Sequence, residues 1–165
     1  MADTHHNSLI ADLLIEQSRC LLQYAGECWP WMADDDAERS VIETMVARQQ
    51  QGVARMANLL NGRRQTIDFG AYPTEFTDLQ YLALSHLLGL LVESQQALVD
   101  AIDQTATHCA VDVEAVAIIV EIHTIERENL GRLQEPDAAK AHPSAATSGS
   151  RHRRNARGLN TSRLG

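Results

Sequence analysis

The sequence predicts an all-α protein in which four long helices form an antiparallel bundle, followed by a polar tail. Three observations support this. Apolar residues recur at helical spacing in four long segments. All four prolines and most of the nine glycines lie outside those segments. Hydrophobic residues make up 44% of the chain and aromatic residues only 4%, so the core is mainly aliphatic.

The first helix is predicted from Ser8 to Cys28, with Gln17 in the middle of its apolar face. Pro30 ends this helix because it disfavours the helical conformation at Trp29. The apolar face consists of Ile10, Leu13, Leu14, Leu21, Tyr24 and Cys28.

The second helix is predicted from Asp36 to Leu60, after a capping box made by Asp35 and Glu38. Its apolar face carries Gln49 and Gly52. Glycine inside a helix costs up to about 1 kcal/mol relative to alanine, so we expect Gly52 to admit a bulky side chain from a facing helix. The remaining face residues are Ile42, Met45, Met56, Leu59 and Leu60, and Asn61 and Gly62 form a stop signal.

Residues 61–74 form the longest internal connection. An extended chain of this length spans about 45 Å, enough to cross the bundle from end to end. We expect Phe69, Tyr72 and Phe76 to hold the connection on the bundle surface. A ligand-binding loop at residues 68–73 is the alternative.

The third helix is predicted from Thr74 or Thr77 to Ala106, with a capping box between Thr77 and Gln80. Gln95 lies at the centre of its apolar face. The other residues of that face are Leu84, Leu87, Leu88, Leu91, Leu98, Val99 and Ile102.

The fourth helix is predicted from Val111 to Leu133, with Asp112 as its cap. Glu126 and Asn129 interrupt its apolar stripe, which consists of Val111, Ala115, Ile118, Ile119, Ile122 and Leu133. Three glutamates repeat every seven residues on the opposite side and are expected to face water: Glu114, Glu121 and Glu128.

The charge of the chain is unevenly distributed. The whole chain carries −8; residues 135–165 hold six basic and two acidic side chains and carry +4, which leaves −12 for residues 1–134. An acidic body disfavours nucleic-acid binding by the folded part. We expect residues 135–165 to be a disordered basic tail, either simply solvated or binding an acidic partner or nucleic acid through its arginines.

Each predicted helix places one amide or carboxylate at the centre of its apolar face. Gln17 and Gln49 are 32 residues apart, and Gln95 and Glu126 are 31 apart, so the two helix pairs match in register. Asn129 follows Glu126 at the third position, as Gly52 follows Gln49. These five polar residues are predicted to form a buried, hydrogen-bonded layer, with a small-ligand pocket lined by the same residues as the alternative.

This register resembles the ferritin-like superfamily in its rubrerythrin and bacterioferritin branch, over residues 8–133. In that family the first and third helices each supply a glutamate, the second and fourth each supply Glu-x-x-His, and a long crossover joins the middle two helices. Only Glu126 keeps a ligand of the family type, because Gln17, Gln49, Gly52, Gln95 and Asn129 stand at the other positions. A dimetal centre needs several anionic oxygens and imidazoles, so we expect a degenerate site without metal or cofactor.

The resemblance implies a ferritin-like four-helix bundle at residues 1–134 with a non-enzymatic role. We expect an interaction or assembly protein that binds an unknown protein partner or forms a homo-oligomer. The alternative is a metal-dependent oxidase or iron-handling protein with a non-standard site.

Composition points to the cytoplasm. No apolar run reaches the roughly 18 residues of a membrane span, and the N-terminal residues show no secretory signal. Cys20, Cys28 and Cys109 form no C-x-x-C motif, which favours reduced thiols.

Overall fold

A computed structural model describes residues 4–29 and 36–135 of the chain. These residues contain no β-strand, so the predicted all-α class is confirmed. The α-helices are α1 (Thr4–Ser18), α2 (Leu21–Glu27), α3 (Asp36–Gly62), α4 (Leu84–His108) and α5 (Val113–Gln134), and a 3-10 helix spans Thr74–Tyr81.

The helices surround one aliphatic core. Helix α1 contacts α3 and α4, and α5 contacts the same two helices, while α2 continues the packing of α1 against α3 and α4. Burying one large aliphatic side chain stabilises the fold by about 1.5–3 kcal/mol. The core includes Ile10, Leu14, Ile42, Met45, Met56, Leu60, Leu91, Ile102, Ile119 and Ile122, each at most 1% exposed.

The first predicted helix is in fact two helices, so the prediction of one helix from Ser8 to Cys28 is wrong. Helix α1 already begins at Thr4, and the chain is extended at Cys20 before α2 begins. The break lets the Cys20 thiol donate a hydrogen bond to Gln49 on α3. No glycine or proline marks the break, which is why the apolar pattern alone predicts a continuous helix.

Helices α3 and α5 are joined by a ladder of ion pairs. Along the chain the arginines of α3 and its end pair with progressively earlier glutamates of α5. The two helices therefore run antiparallel. The expectation that the three α5 glutamates face water is confirmed, since their side chains are at least half exposed while each also pairs with an arginine. Solvent-exposed ion pairs of this kind stabilise a fold only weakly. The pairs are Arg48 with Glu128, Arg55 with Glu121, and Arg63 with Glu114.

Helix α3 ends at Gly62, within the predicted stop signal, but a non-glycine residue makes the left-handed turn. Arg64 has φ 56°. Its N–H donates to the Asn61 carbonyl at 3.0 Å, and the Gln65 N–H donates to the Leu60 carbonyl at 2.9 Å. This is the Schellman arrangement, in which the left-handed position normally favours glycine.

Replacing Arg64 by glycine is expected to stabilise the protein by about 0.5–1 kcal/mol. The left-handed conformation costs an L-residue roughly 1–2 kcal/mol, and the greater freedom of glycine in the unfolded chain offsets part of the gain. Urea unfolding of Arg64→Gly against the parent measures the effect. Arg64→Ala keeps the strain and should match the parent; an equal gain in both variants would contradict the explanation.

The third predicted helix begins later than expected. Residues 74–81 form a 3-10 helix, Leu82 and Ala83 are extended, and α4 starts only at Leu84. The predicted capping box does not form, because the Thr77 hydroxyl donates to the Thr74 carbonyl at 2.7 Å. Two aromatic rings before and within the 3-10 helix pack on Tyr24, with ring centroids 5.3 and 5.4 Å from the Tyr24 centroid. Those rings are Tyr72 and Phe76, as expected, whereas Phe69 is exposed.

A partly buried ion-pair cluster joins the C-terminal end of α3 to the N-terminal ends of α1 and α5. Arg63 at the end of α3 donates two hydrogen bonds to Asp112, at 2.7 and 2.8 Å, and a third to Asn7 of α1 at 3.0 Å. The Asp112 carboxylate also accepts from the Ala115 N–H at 3.1 Å, which is the predicted helix cap. Val111 precedes α5 and is 83% exposed, so its prediction as part of the buried stripe is wrong.

Within residues 4–29 and 36–135, none of the helices has the length and apolarity needed to cross a membrane. Two predictions concern residues outside those ranges. They are the capping box that uses Asp35 and the disordered tail from residue 136 onward.

Candidate functional site: a buried amide and carboxylate layer

The five polar residues predicted for the layer lie in the interior of the protein. Helix α1 supplies Gln17, α3 supplies Gln49, α4 supplies Gln95, and α5 supplies Glu126 and Asn129. Each is at most 2% exposed. A buried polar group without a partner costs about 1–3 kcal/mol, so the hydrogen bonds of these side chains determine whether the layer stabilises the fold.

All four amides donate to the single carboxylate. Glu126 Oε1 accepts from Gln17 Nε2 at 2.6 Å. Glu126 Oε2 accepts from Gln95 at 2.5 Å, Gln49 at 3.0 Å and Asn129 at 3.3 Å. Gln95 Nε2 also donates to the main-chain carbonyl of Glu126 at 3.2 Å. Three of the four donors thus meet Oε2 and one meets Oε1, so the carboxyl group of Glu126 is the common acceptor of the layer.

Two further residues, which the sequence did not indicate, fix the orientation of Gln49. Its Oε1 accepts from Gln23 Nε2 at 2.7 Å and from the Cys20 thiol at 3.3 Å. Gln23 lies six residues after Gln17, off the apolar face of a continuous helix, and it reaches the layer because the helix breaks before it. A break without glycine or proline leaves no local signal that would have identified this residue.

Burial dominates the electrostatics of the layer. It raises the pKa of Glu126, and the hydrogen bonds from Gln95, Gln17, Asn129 and Gln49 oppose that rise. Burial, together with the nearby charge of Glu126, raises the pKa of Cys20 to about 11. The Cys20 thiol therefore remains protonated at neutral pH and acts as a hydrogen-bond donor rather than a nucleophile.

Two acceptors of the layer have no donor among the described residues, Gln17 Oε1 and Asn129 Oδ1. Unlike Gln49, Gln17 makes no second hydrogen bond with a described residue that fixes which end of its amide faces Glu126. If the amide turns over, its oxygen faces Glu126 Oε1 and can accept a hydrogen bond from a donor at that position. The layer can thus accommodate a protonated or amidated side chain at residue 126 by rotating one neighbour.

Gly52 makes room for the layer. A Cβ atom at this position would lie 3.1 Å from Ile122 Cγ1 and 3.2 Å from Gln17 Nε2. Both distances are shorter than ordinary van der Waals contact, so any side chain here pushes on its neighbours. The expectation that Gly52 admits a bulky residue from a facing helix is confirmed by Ile122.

The layer is poor in metal ligands. It offers one carboxylate and neutral amides, and the amide nitrogens, which carry no free lone pair, face the carboxylate. In the part of the chain that the structure describes, no three His, Cys, Asp or Glu side chains come together as a metal site. The donor set does not fit a dimetal centre, which requires several anionic oxygens.

Family models, curated proteins and solved structures give no match to this chain. The ferritin-like resemblance therefore stays a prediction that rests on helix register and residue types.

Truncating Gln49 tests the layer with a single change. Gln49→Ala removes one donor to Glu126 and the acceptor of Cys20 and Gln23, so we expect a loss of about 1–3 kcal/mol in the free energy of unfolding. Denaturant melts of the variant and the parent measure it. Gln51→Ala, an exposed glutamine on the same helix, is the matched control and should leave stability unchanged. Coincident melts for Gln49→Ala and the parent would contradict the role of the layer.

Proposed function

We propose that this chain is a ferritin-like protein without a dimetal site, which acts in the cytoplasm as a non-enzymatic interaction or assembly protein. In this proposal residues 1–134 form the four-helix bundle, the connection between α3 and α4 is its long crossover, and residues 135–165 are a basic tail. The meeting of Gln17, Gln49, Gln95 and Glu126 in one layer supports the register of that family.

The observation that carries the proposal is the convergence of four amide donors on the carboxyl group of Glu126. In a dimetal centre, several carboxylates hold the cations and the cations offset the negative charge. Here one carboxylate is left, and the partial positive charges of four amide groups take the place of the cations. The same position in the fold then serves stability and register rather than redox chemistry.

Exposed apolar side chains support an interaction role. Val111 and Val113 are 83% and 81% exposed at the turn into α5, and Val120 follows on the same helix at 55%. Tyr81, at the end of the 3-10 helix, is 81% exposed. Val113 and Val120 are seven residues apart and so lie on the same side of α5, and exposed apolar residues on one side of a helix are typical of contacts with a protein partner or a second copy.

Metal analysis separates this proposal from its alternative, a metal-dependent oxidase or iron-handling protein. The full chain is expressed with iron and manganese in the medium, purified without added metal and dialysed. We expect well under one metal ion per chain, and oxygen consumption with ferrous ion equal to that of buffer. Two ions per chain retained on dialysis, or iron-dependent oxygen consumption, would contradict the proposal.

The interaction role has its own test. Sedimentation velocity measures whether the full chain self-associates, and co-purification identifies proteins that bind it in a stoichiometric amount. Both measurements are repeated with a Val113→Asp, Val120→Asp double variant. We expect self-association or one stoichiometric partner with the parent and a clear weakening with the variant. A parent that remains monomeric and recovers no stoichiometric partner would contradict an interaction role.

A further inference from the structure

Two adjoining cavities form a cleft along α4, outside the amide layer. The first, of about 320 Å³, lies between the end of α1, the connection at Ala71 and Pro73, and α4. The second, of about 310 Å³, lies between Leu21, the 3-10 helix and α4. Ser94 lines both cavities. On α4 the cleft extends from Leu90 to Leu98, about 12 Å at 1.5 Å per residue.

The walls of the cleft are mainly apolar. Ile15, Pro73 and Leu98 line the first cavity. Phe76 and Leu79 line the second. Sites of about 300 Å³ with such walls are at the lower end of the range for small molecules, so the two halves together suit a slender ligand.

Each half of the cleft contains a carboxylate that lacks a partner. Glu16 lines the first cavity and Glu93 the second, and neither makes a hydrogen bond or ion pair with any described residue. Both residues are exposed to solvent, and partial burial raises the pKa of Glu16. Glu75 adds a third carboxylate to the second cavity.

Arg19, the only cation among the residues that line the two cavities, is already engaged. Its Nε donates to the main-chain carbonyls of Phe69 and Gly70, both at 2.9 Å. Its guanidinium also lies 4.8 Å from the centre of the Tyr72 ring. The cleft therefore keeps a negative balance, with at least one carboxylate and apolar residues lining each of its two cavities.

We propose that this cleft binds a linear aliphatic diamine or polyamine, with one ammonium group at Glu16 and the other at Glu93. The methylene chain lies against the apolar walls and passes Ser94. An anionic ligand is repelled by the three carboxylates, and a neutral hydrocarbon would displace water from them without supplying a positive charge. A small hydrated cation matches the charge but gains nothing from the apolar walls. An amine with a long alkyl chain satisfies both features.

Titration calorimetry on the full chain tests the proposal through ligand length. The probe is 1,8-diaminooctane, whose extended length is of the order of the cleft; 1,4-diaminobutane, octylamine and magnesium chloride are the comparisons. We expect one 1,8-diaminooctane per chain, bound at least about tenfold more tightly than each comparison. Added salt should weaken binding because the contacts are partly electrostatic. Absence of binding, or equal affinity for 1,4-diaminobutane or magnesium, would overturn the proposal.

Conservative variants locate the site. Glu16→Gln and Glu93→Gln should each weaken 1,8-diaminooctane binding about tenfold or more, because each removes one ammonium partner. Asp12→Asn is the matched control: Asp12 is an exposed carboxylate on α1 that does not line the cleft. The control should bind as the parent does. Equal weakening in all three variants would show attraction to the acidic surface as a whole and overturn the assignment.

Discussion

Glu126→Ala will strongly destabilise the protein, whereas Glu126→Gln will fold with a stability close to that of the parent. Alanine leaves four buried amide donors without their acceptor, at about 1–3 kcal/mol each, and adds a cavity. Even with partial relaxation the loss should be about 4 kcal/mol or more, against a total stability of about 5–15 kcal/mol for a typical domain.

The glutamine variant keeps the shape of the side chain and one acceptor oxygen. That oxygen can accept from Gln49, Gln95 and Asn129, while the new amide nitrogen takes the position of Oε1. Gln17 turns over and accepts from this nitrogen with Oε1, which has no donor in the parent. Denaturant unfolding of both variants measures the contrast. Similar losses for alanine and glutamine would show that the charge of Glu126, and not its acceptor geometry, sustains the layer.

The stabilities of the parent and of Glu126→Gln should also depend differently on pH. Because burial raises the pKa of Glu126, the native state favours the neutral carboxyl. The loss of folding free energy that comes from this raised pKa is absent below the ordinary glutamate pKa of about 4.3. It grows as pH rises toward the folded-state pKa. Parental stability should therefore fall relative to Glu126→Gln over that window. A difference that does not change with pH would contradict the raised pKa.

Arg63→Ala should cost about 3 kcal/mol, the second largest effect of a single substitution. The Arg63 side chain is 12% exposed and that of Asp112 only 9%, so removing the guanidinium leaves a nearly buried carboxylate unpaired. It also detaches the end of α3 from Asn7 on α1. The stability of Arg63→Lys should lie between that of the parent and that of Arg63→Ala, because lysine keeps the charge but not the paired hydrogen bonds.

Arg55→Ala is the matched control for this prediction. Arg55 lies on the same helix and pairs with Glu121 of α5, but both side chains are more than half exposed. The control should cost less than about 1 kcal/mol. Thermal or denaturant unfolding measures both variants, and equal losses would contradict a special role for the partly buried cluster.

The Arg63 pair has a pH signature opposite in sign to that of Glu126. The hydrogen bonds from Arg63 hold the pKa of Asp112 below its usual range. The stabilisation is present above the ordinary aspartate pKa of about 4 and is lost as pH falls through the lower folded-state pKa. Arg63→Ala should therefore lose less stability, relative to the parent, in strong acid than at neutral pH.

The sequence predicts the core of the site better than its surroundings. Gln17, Gln49, Gln95, Glu126 and Asn129 interrupt apolar faces at helical spacing, and helical periodicity alone turns such residues inward. The structure accordingly brings all five together. Cys20 and Gln23 escape prediction because they reach Gln49 only through a break in the helix that tertiary packing imposes. The same limitation applies to the late start of α4, where aromatic packing on Tyr24 prevails over a plausible capping box.

Ion pairs between different helices also cannot be predicted from a single sequence. The seven-residue repeat of Glu114, Glu121 and Glu128 is evident, but its partners on α3 depend on which helices are neighbours. Asp112 shows the opposite case. Its role as a helix cap is local and was predictable, whereas its pairing with Arg63 required the ends of two distant helices to meet.

Introducing the ligands of a ferritin-like site is the most direct test of the proposed ferritin-like register. The substitutions are Gln17→Glu, Gln49→Glu, Gly52→His, Gln95→Glu and Asn129→His, with native Glu126. Ile122→Ala is added because a Cβ at residue 52 would lie 3.1 Å from Ile122 Cγ1. Four buried carboxylates without metal repel one another, so the apo variant should be much less stable than Ile122→Ala alone, its control.

The deciding measurement is the melting temperature of this variant with and without cobalt or ferrous ion. Metal that binds only the folded state must stabilise it, so the account predicts a clear rise in Tm and ligand-field absorption with cobalt, both absent in the control. If the variant folds but neither metal changes its Tm or its absorption, the six side chains do not converge as metal ligands, and the ferritin-like register is wrong.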